Sequence, residues 1–181
     1  MNLPNKLSLI RICLVPAFLI ILYLDMEHAK EIAAAIFLLC AFTDLVDGYI
    51  ARKTGTTTDF GKFIDPLADK ILVISAMVYL VSVGVIPDWM AIIVVCRDFA
   101  ISGIRMIGAS KGEIIAASKL GKLKTGSQLF AVFFCIFQPW SDVIILDQPY
   151  YWWLMLVAVI LTLISGIDYI WKNRTLISKT S

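Results

Sequence analysis

The sequence predicts an all-α polytopic membrane protein: six transmembrane helices preceded by a short amino-terminal interfacial helix. Two observations point there. Of 181 residues, 60% are hydrophobic and 17% charged, against about 45–50% and 25% in soluble globular domains. Apolar runs close to the roughly 20 residues that cross a bilayer core as a helix recur along the whole chain. A water-soluble globular domain, a disordered chain and a collagenous or disulfide scaffold are excluded. Lipid offers no partner to unpaired backbone groups, so every run reads as helix. The length suits a single domain, residues 1–181, and no repeat, low-complexity stretch or linker divides it.

The opening segment Leu3-Pro4-Asn5-Lys6-Leu7-Ser8-Leu9-Ile10-Arg11 mixes polar with apolar residues and is expected as the interfacial helix. Spans follow at about 8–24, 32–50, 63–83, 89–109, 123–140 and 152–171. The connections 25–31, 51–62, 84–88, 110–122 and 141–151 are short, which makes consecutive helices antiparallel neighbours. No small-residue cleavage site follows Leu24, so the first span is expected to be retained rather than removed as a signal peptide.

Charge sets the orientation, because Lys and Arg accumulate on the cytoplasmic side. With the amino terminus inside, fifteen of the sixteen basic residues, all but Lys30, fall on or toward the cytoplasmic half, with Arg97 in mid-span. Both termini and the active site are therefore expected at the cytoplasmic face of the cell membrane. Trp89, Trp140, Tyr150, Tyr151, Trp152 and Trp171 lie near span ends, where interfacial aromatics anchor. A net charge of +2 does not suggest a nucleic-acid partner. Cys13, Cys40, Cys96 and Cys135 lie singly inside apolar runs and read as packing residues, and His28 reads as a solvated loop residue.

Ionisable residues inside a span are costly and suggest function. The second and third spans hold four carboxylates, Asp44, Asp47, Asp65 and Asp69. Spacings of three and four place each pair on one face of its own helix. A helix rises about 18 Å from residue 32 to residue 44, which puts the carboxylates toward the cytoplasmic side of a core about 30 Å thick. Four anions so close require cations, since repulsion and desolvation disfavour their joint ionisation. Oxygen-only ligands suit Mg2+ or Mn2+, and four carboxylates suffice for two ions clamping the attacking and leaving oxygens of a phosphoryl transfer. Gly48 and Ala51 remove bulk beside them, Arg52 supplies a cation for a diphosphate, and Gly61 opens the start of the third helix. Taken singly, these four also read as helix packing, positive-inside charge and a loop glycine.

Read together, the positions spell Asp44-x-x-Asp47-Gly48-x-x-Ala51-Arg52, eight residues, then Gly61-x-x-x-Asp65-x-x-x-Asp69. This resembles, without a gap, the signature of the CDP-alcohol phosphotransferase family, whose members transfer a phosphatidyl or related group from a CDP-linked donor to an alcohol and release CMP. The resemblance implies that family's six-helix fold and a homodimer. It also implies metal ligation by Asp44, Asp47, Asp65 and Asp69, with Asp69 as general base. Gly48, Ala51, Arg52 and Gly61, with Asn5, would line the CDP site.

The acceptor is read elsewhere. Arg97 and Arg105 in the fourth span, with Lys119, Lys124 and Thr125 entering the fifth, are candidates for gripping a phosphate. For the lysines the plainer use is positive-inside charge, and for Arg97 it is pairing with Asp98. The stretches 97–105 and 121–125 and Pro4-Asn5-Lys6-Leu7-Ser8 resemble parts of bacterial phosphatidylglycerophosphate synthases, a branch of the family. Asp98 stands where Glu is commoner there, and Ser8 where Thr is. That branch implies CDP-diacylglycerol and sn-glycerol 3-phosphate as substrates, and phosphatidylglycerol phosphate and CMP as products. The remaining alternatives are a sister enzyme accepting inositol phosphate, serine or phosphatidylglycerol, an intramembrane prenyltransferase, and a divalent-cation transporter.

Overall fold

Helix α1 (Leu3–Tyr23) runs unbroken through both the segment expected as a separate interfacial helix and the first expected span. Pro4 lies in its first turn, where a missing N–H costs nothing, and no residue from there to Tyr23 demands a left-handed backbone. Pro16 removes only the N–H that would reach the Ile12 carbonyl. The interfacial helix is thus the opening turns of α1 and not a separate element. The computed structural model describes the backbone of residues 3–24, 26–54, 59–110 and 118–174, and the side chains of 9–24, 26–43, 70–108 and 118–174.

The remaining described helices are α2 (Ala29–Thr54), α3 (Asp59–Ser82), α4 (Asp88–Ser110), α5 (Lys119–Phe137) and α6 (Tyr150–Lys172). Each overlaps one expected span. The connection expected over 51–62 is shorter than the sequence suggests. Ala, Arg and Lys at 51–53 are strong helix formers and prolong α2, while an acidic residue at 59 suits the start of α3. The chain divides into two compact units, residues 1–84 with 132–140, and residues 85–131 with 141–181.

In the first unit α1 packs against both α2 and α3. Its buried stripe, Arg11, Val15, Phe18 and Leu22, follows helical spacing. Opposite it lie Ala33, Ala34, Phe37 and Cys40 of α2 and Leu72, Ala76, Met77 and Leu80 of α3. The Phe18 and Phe37 rings meet at 6.2 Å. Tyr79 ties α3 to the end of α1 by donating to the Leu22 carbonyl at 3.1 Å, and its ring stands edge-on to Tyr23. Gly84 closes α3 at φ 72°, a left-handed conformation that glycine adopts without a Cβ penalty.

In the second unit α4 packs against α6. The buried face of α6 is Met155, Ala158, Val159, Thr162, Ser165, Gly166 and Tyr169. Small residues at its middle allow the close approach typical of helices packed without a hydrophobic driving force. α5 begins in this unit and ends in the first. It stops at Phe137, three residues before the expected span end. Pro139 disfavours helical backbone at the residue before it, and Gln138 turns to φ 48° while donating to the Phe134 carbonyl.

Between α5 and α6, where an irregular loop is expected, stands a two-stranded antiparallel hairpin, β1 (Ile144–Ile145) and β2 (Gln148–Pro149). Leu146 and Asp147 form its turn, both at positive φ. Tyr150 N donates to the Val143 carbonyl and Trp153 Nε1 to that of Ile145, which fastens the hairpin to the first turn of α6.

The outer helix faces are apolar. Ile92, Phe99 and Met106 on α4 and Val157, Ile160, Ile164, Ile167 and Ile170 on α6 are exposed, more contiguous apolar surface than a water-facing helix carries. Among the described residues α5 and α6 are long and apolar enough to cross a membrane. Cys40 and Cys135 are buried, as packing residues should be, whereas Cys13 and Cys96 lie on exposed helix faces. His28 is exposed, with Glu31 at 3.9 Å.

Candidate active site

Asp44, Asp47, Gly48, Ala51 and Arg52 occupy the last three turns of α2, and Gly61, Asp65 and Asp69 the first three of α3. The eight fixed positions of the signature are therefore helical, and Ala51, Arg52 and Gly61 are not loop residues as the sequence suggests. Residues three or four apart on a helix share a face, and both helices pack against α1 within one unit. The side chains of all eight signature residues, and of Asn5, lie outside the described residues. Among the described residues no group of three His, Cys, Asp or Glu side chains could hold a metal ion. The four aspartates are an all-oxygen donor set, which fits a hard divalent cation.

The second unit holds a described cluster of charge. Arg97, on α4, donates through Nη1 to Asp98 Oδ1 at 3.1 Å and through Nη2 to Ser165 Oγ of α6 at 2.8 Å. Lys124, on α5, donates to the same Asp98 oxygen at 2.5 Å. Arg97 and Asp98 are mostly shielded, and the Lys124 side chain is 3% exposed. Two cations thus share one carboxylate, so the trio carries a net charge of one positive. Arg97 retains donors: Nη1 and Nη2 each keep one N–H, and the buried Nε has no hydrogen-bond partner among the described residues.

Of the residues expected to hold an acceptor phosphate, the structure joins Arg97 and Lys124 through Asp98. Arg105 lies 5.5 Å from the ring centre of the buried Tyr169. Lys119 and Thr125 are exposed, and Thr125 Oγ1 donates to the Gly121 carbonyl one turn back. Lys124 and Thr125 differ because adjacent helical residues project about 100° apart. The expected Arg97–Asp98 pair is present, yet Asp98 does more than balance Arg97.

Sequence reasoning overlooks four residues here. Asp98 as a shared acceptor and Ser165 as an arginine partner depend on contacts 26 and 68 positions apart. Gly166 lies where an added Cβ would stand 3.1 Å from Arg97 Cγ. Arg11, 2% exposed on the buried stripe of α1, is the fourth. Its signal is a cation inside an apolar run, which invites the same question as Arg97.

These placements can be set beside known proteins. The chain is 40% identical over 186 residues to the CDP-diacylglycerol–glycerol-3-phosphate 3-phosphatidyltransferase of Bacillus subtilis (strain 168), covering 95% of each chain. It is 36% identical to the protein of the same name from Rickettsia typhi (strain ATCC VR-144 / Wilmington), over 96% of this chain and 98% of that one. Against a probable phosphatidylglycerophosphate synthase of Mycobacterium tuberculosis (strain ATCC 25618 / H37Rv) the identity is 37%, over 93% and 80%. Residues 1–164, which hold the whole aspartate signature and the Arg97–Asp98–Lys124 trio, match the CDP-alcohol phosphatidyltransferase model, and the chain belongs to that family.

Proposed function

We propose that the protein transfers the phosphatidyl group of CDP-diacylglycerol to sn-glycerol 3-phosphate, giving phosphatidylglycerol phosphate and CMP. Relatives bearing that activity in their names align over nearly their full lengths. The observation that supports an acceptor bearing its own phosphate is the shielded trio, in which Arg97 keeps N–H donors beyond those given to Asp98 and Ser165. An arginine with N–H donors to spare suits such an acceptor. Serine would not answer it.

Asp44, Asp47, Asp65 and Asp69 would hold two divalent cations, Mg2+ or Mn2+. Bound there, such ions would neutralise the donor's diphosphate and stabilise the departing CMP. Asp69 takes the proton of the attacking hydroxyl, and the alcohol oxygen then attacks the phosphorus attached to the lipid. Gly48, Ala51, Arg52 and Gly61, with Asn5, accommodate the CDP moiety. Arg97 and Lys124 bind the acceptor's phosphate, and Arg105, Lys119 and Thr125 contribute to drawing it in. The chain works as one six-span membrane domain, 1–181, in a homodimer, with both termini and the active site at the cytoplasmic face.

The test is CMP release by the purified protein in detergent with CDP-diacylglycerol, Mg2+ or Mn2+, and each acceptor in turn. Turnover is expected with glycerol 3-phosphate alone and should vanish with EDTA. In Asp69→Asn it should fall by about 10²- to 10⁴-fold, the usual loss on removing a general base. Turnover with serine, inositol phosphate or phosphatidylglycerol in its place would move the protein to a sister activity. Absence of metal-dependent CMP release with every acceptor would overturn the reading.

A further inference from the structure

α6 carries no signature carboxylate and no candidate acceptor cation, yet its middle is shaped around Arg97. The aliphatic stem of Arg97 crosses α6 at Gly166, where an added Cβ would stand 3.1 Å from Cγ and 3.7 Å from Nε. At Gly103 and Gly126 the same addition would meet nothing within 4 Å. A carbon at residue 166 would press on the stem near its root. The other end of the side chain is held by Asp98 and Ser165, so a shift of a few tenths of an ångström in the stem would strain the hold on the guanidinium.

Ser165 is oriented for its part. It is buried, and its hydroxyl donates to the Thr162 carbonyl at 3.1 Å, which commits the proton and leaves the oxygen to accept from Arg97 Nη2. Thr162 is fixed in the same way by donating to the Ala158 carbonyl at 2.7 Å. The guanidinium is thereby held at two nitrogens by partners that have little freedom to move. The one N–H left on each of Nη1 and Nη2 has a defined direction, as bidentate phosphate recognition requires.

We propose that the Ser165–Gly166 step of α6 is a positioning element for the acceptor: Gly166 sets where the Arg97 stem lies and Ser165 sets the rotation of its guanidinium. This rests on the reading of Arg97 as a contact to the acceptor's phosphate. Neither α6 residue touches substrate; each acts through Arg97.

Steady-state CMP release by the full-length protein in mixed micelles tests it, varying glycerol 3-phosphate at saturating CDP-diacylglycerol and then the reverse. Partial loss of a charge-assisted hydrogen bond to the acceptor's phosphate weakens its binding by about tenfold. Gly166→Ala, which displaces the group without removing it, is therefore expected to raise KM for glycerol 3-phosphate by about tenfold. Ser165→Ala, which removes only an oxygen, should raise it about threefold, while kcat and the donor KM stay within about twofold. Inorganic phosphate, used as a competitive inhibitor, should weaken in parallel, and Gly126→Ala should behave as the parent. Arg97→Lys is measured alongside. If it raises the acceptor KM while neither α6 variant does, the positioning role is wrong and the acceptor reading stands. If Arg97→Lys leaves the acceptor KM and phosphate inhibition unchanged, the acceptor reading fails and takes the inference with it. A parallel rise in both substrates' KM, or a fall in kcat alone, in Ser165→Ala would mark a merely structural contact and overturn the proposal.

Discussion

One oxygen of Asp98 accepts from Arg97 and Lys124 at once, and both partners are largely shielded from solvent. Removing one member of such a group leaves charge without its nearest compensation, which costs about 2–5 kcal/mol. Asp98→Asn keeps the shape and removes the charge, so it should lower the thermal midpoint in detergent by several degrees. Adding Lys124→Met should recover part of that loss, with a coupling above about 1 kcal/mol in a double-mutant cycle. Additive effects would show that the pair is not energetically linked. Half of this arrangement is legible in the sequence, because Arg97 and Asp98 are adjacent within an apolar run. The other half is not, since Lys124 reaches Asp98 only once α5 lies beside α4, and nothing in the 25 intervening positions specifies that. Arg11 teaches the same lesson in reverse: in the sequence it counts toward orientation, and only packing shows it buried on the core stripe of α1.

Helices were the legible elements, because runs of apolar residues near the length of a bilayer core admit little else. Their ends were less so. α2 and α3 extend into the expected connection because helix-forming residues continue past the apolar run, and α5 stops short because Pro139 follows it. The hairpin between α5 and α6 has no sequence signal at all. Two-residue turns with positive φ at both positions favour Asn-Gly or Asp-Gly, whereas this chain places Leu146 and Asp147 there at φ 48° and 61°. A non-glycine residue pays about 1–2 kcal/mol for the left-handed region, and Leu146 is 80% exposed, so little packing offsets it. Replacing the pair with Asn-Gly should raise stability by about 1 kcal/mol, roughly 2–4 °C in thermal midpoint, without changing turnover. An unchanged or lower midpoint would mean that the Leu146 side chain contributes contacts of its own.

At the scale of the whole chain, the distribution of charge rather than its sum defines the arrangement in the membrane. Basic residues crowd the amino terminus, the end of α2 and start of α3, the end of α4 and start of α5, and the carboxyl terminus, while Asp142 and Asp147 lie in a hairpin segment with no Lys or Arg. On the proposed orientation, the positive-inside tendency would put the hairpin outside and both termini in the cytoplasm. That proposal also needs every intervening helix to cross, including those whose ends carry the aspartate signature. A membrane-impermeant maleimide applied to intact cells checks this in the full-length protein. The parent should remain unlabelled, because Cys13 and Cys96, though exposed on α1 and α4, lie inside apolar runs that the six-span reading puts in lipid. Ile144→Cys, at a position 67% exposed in the hairpin, should label from outside. Thr180→Cys should label only after the cells are opened. The reverse pattern would invert the topology and move the proposed aspartate site to the outer face. Labelling of the parent would deny that α1 and α4 face lipid, and with it the six-span reading.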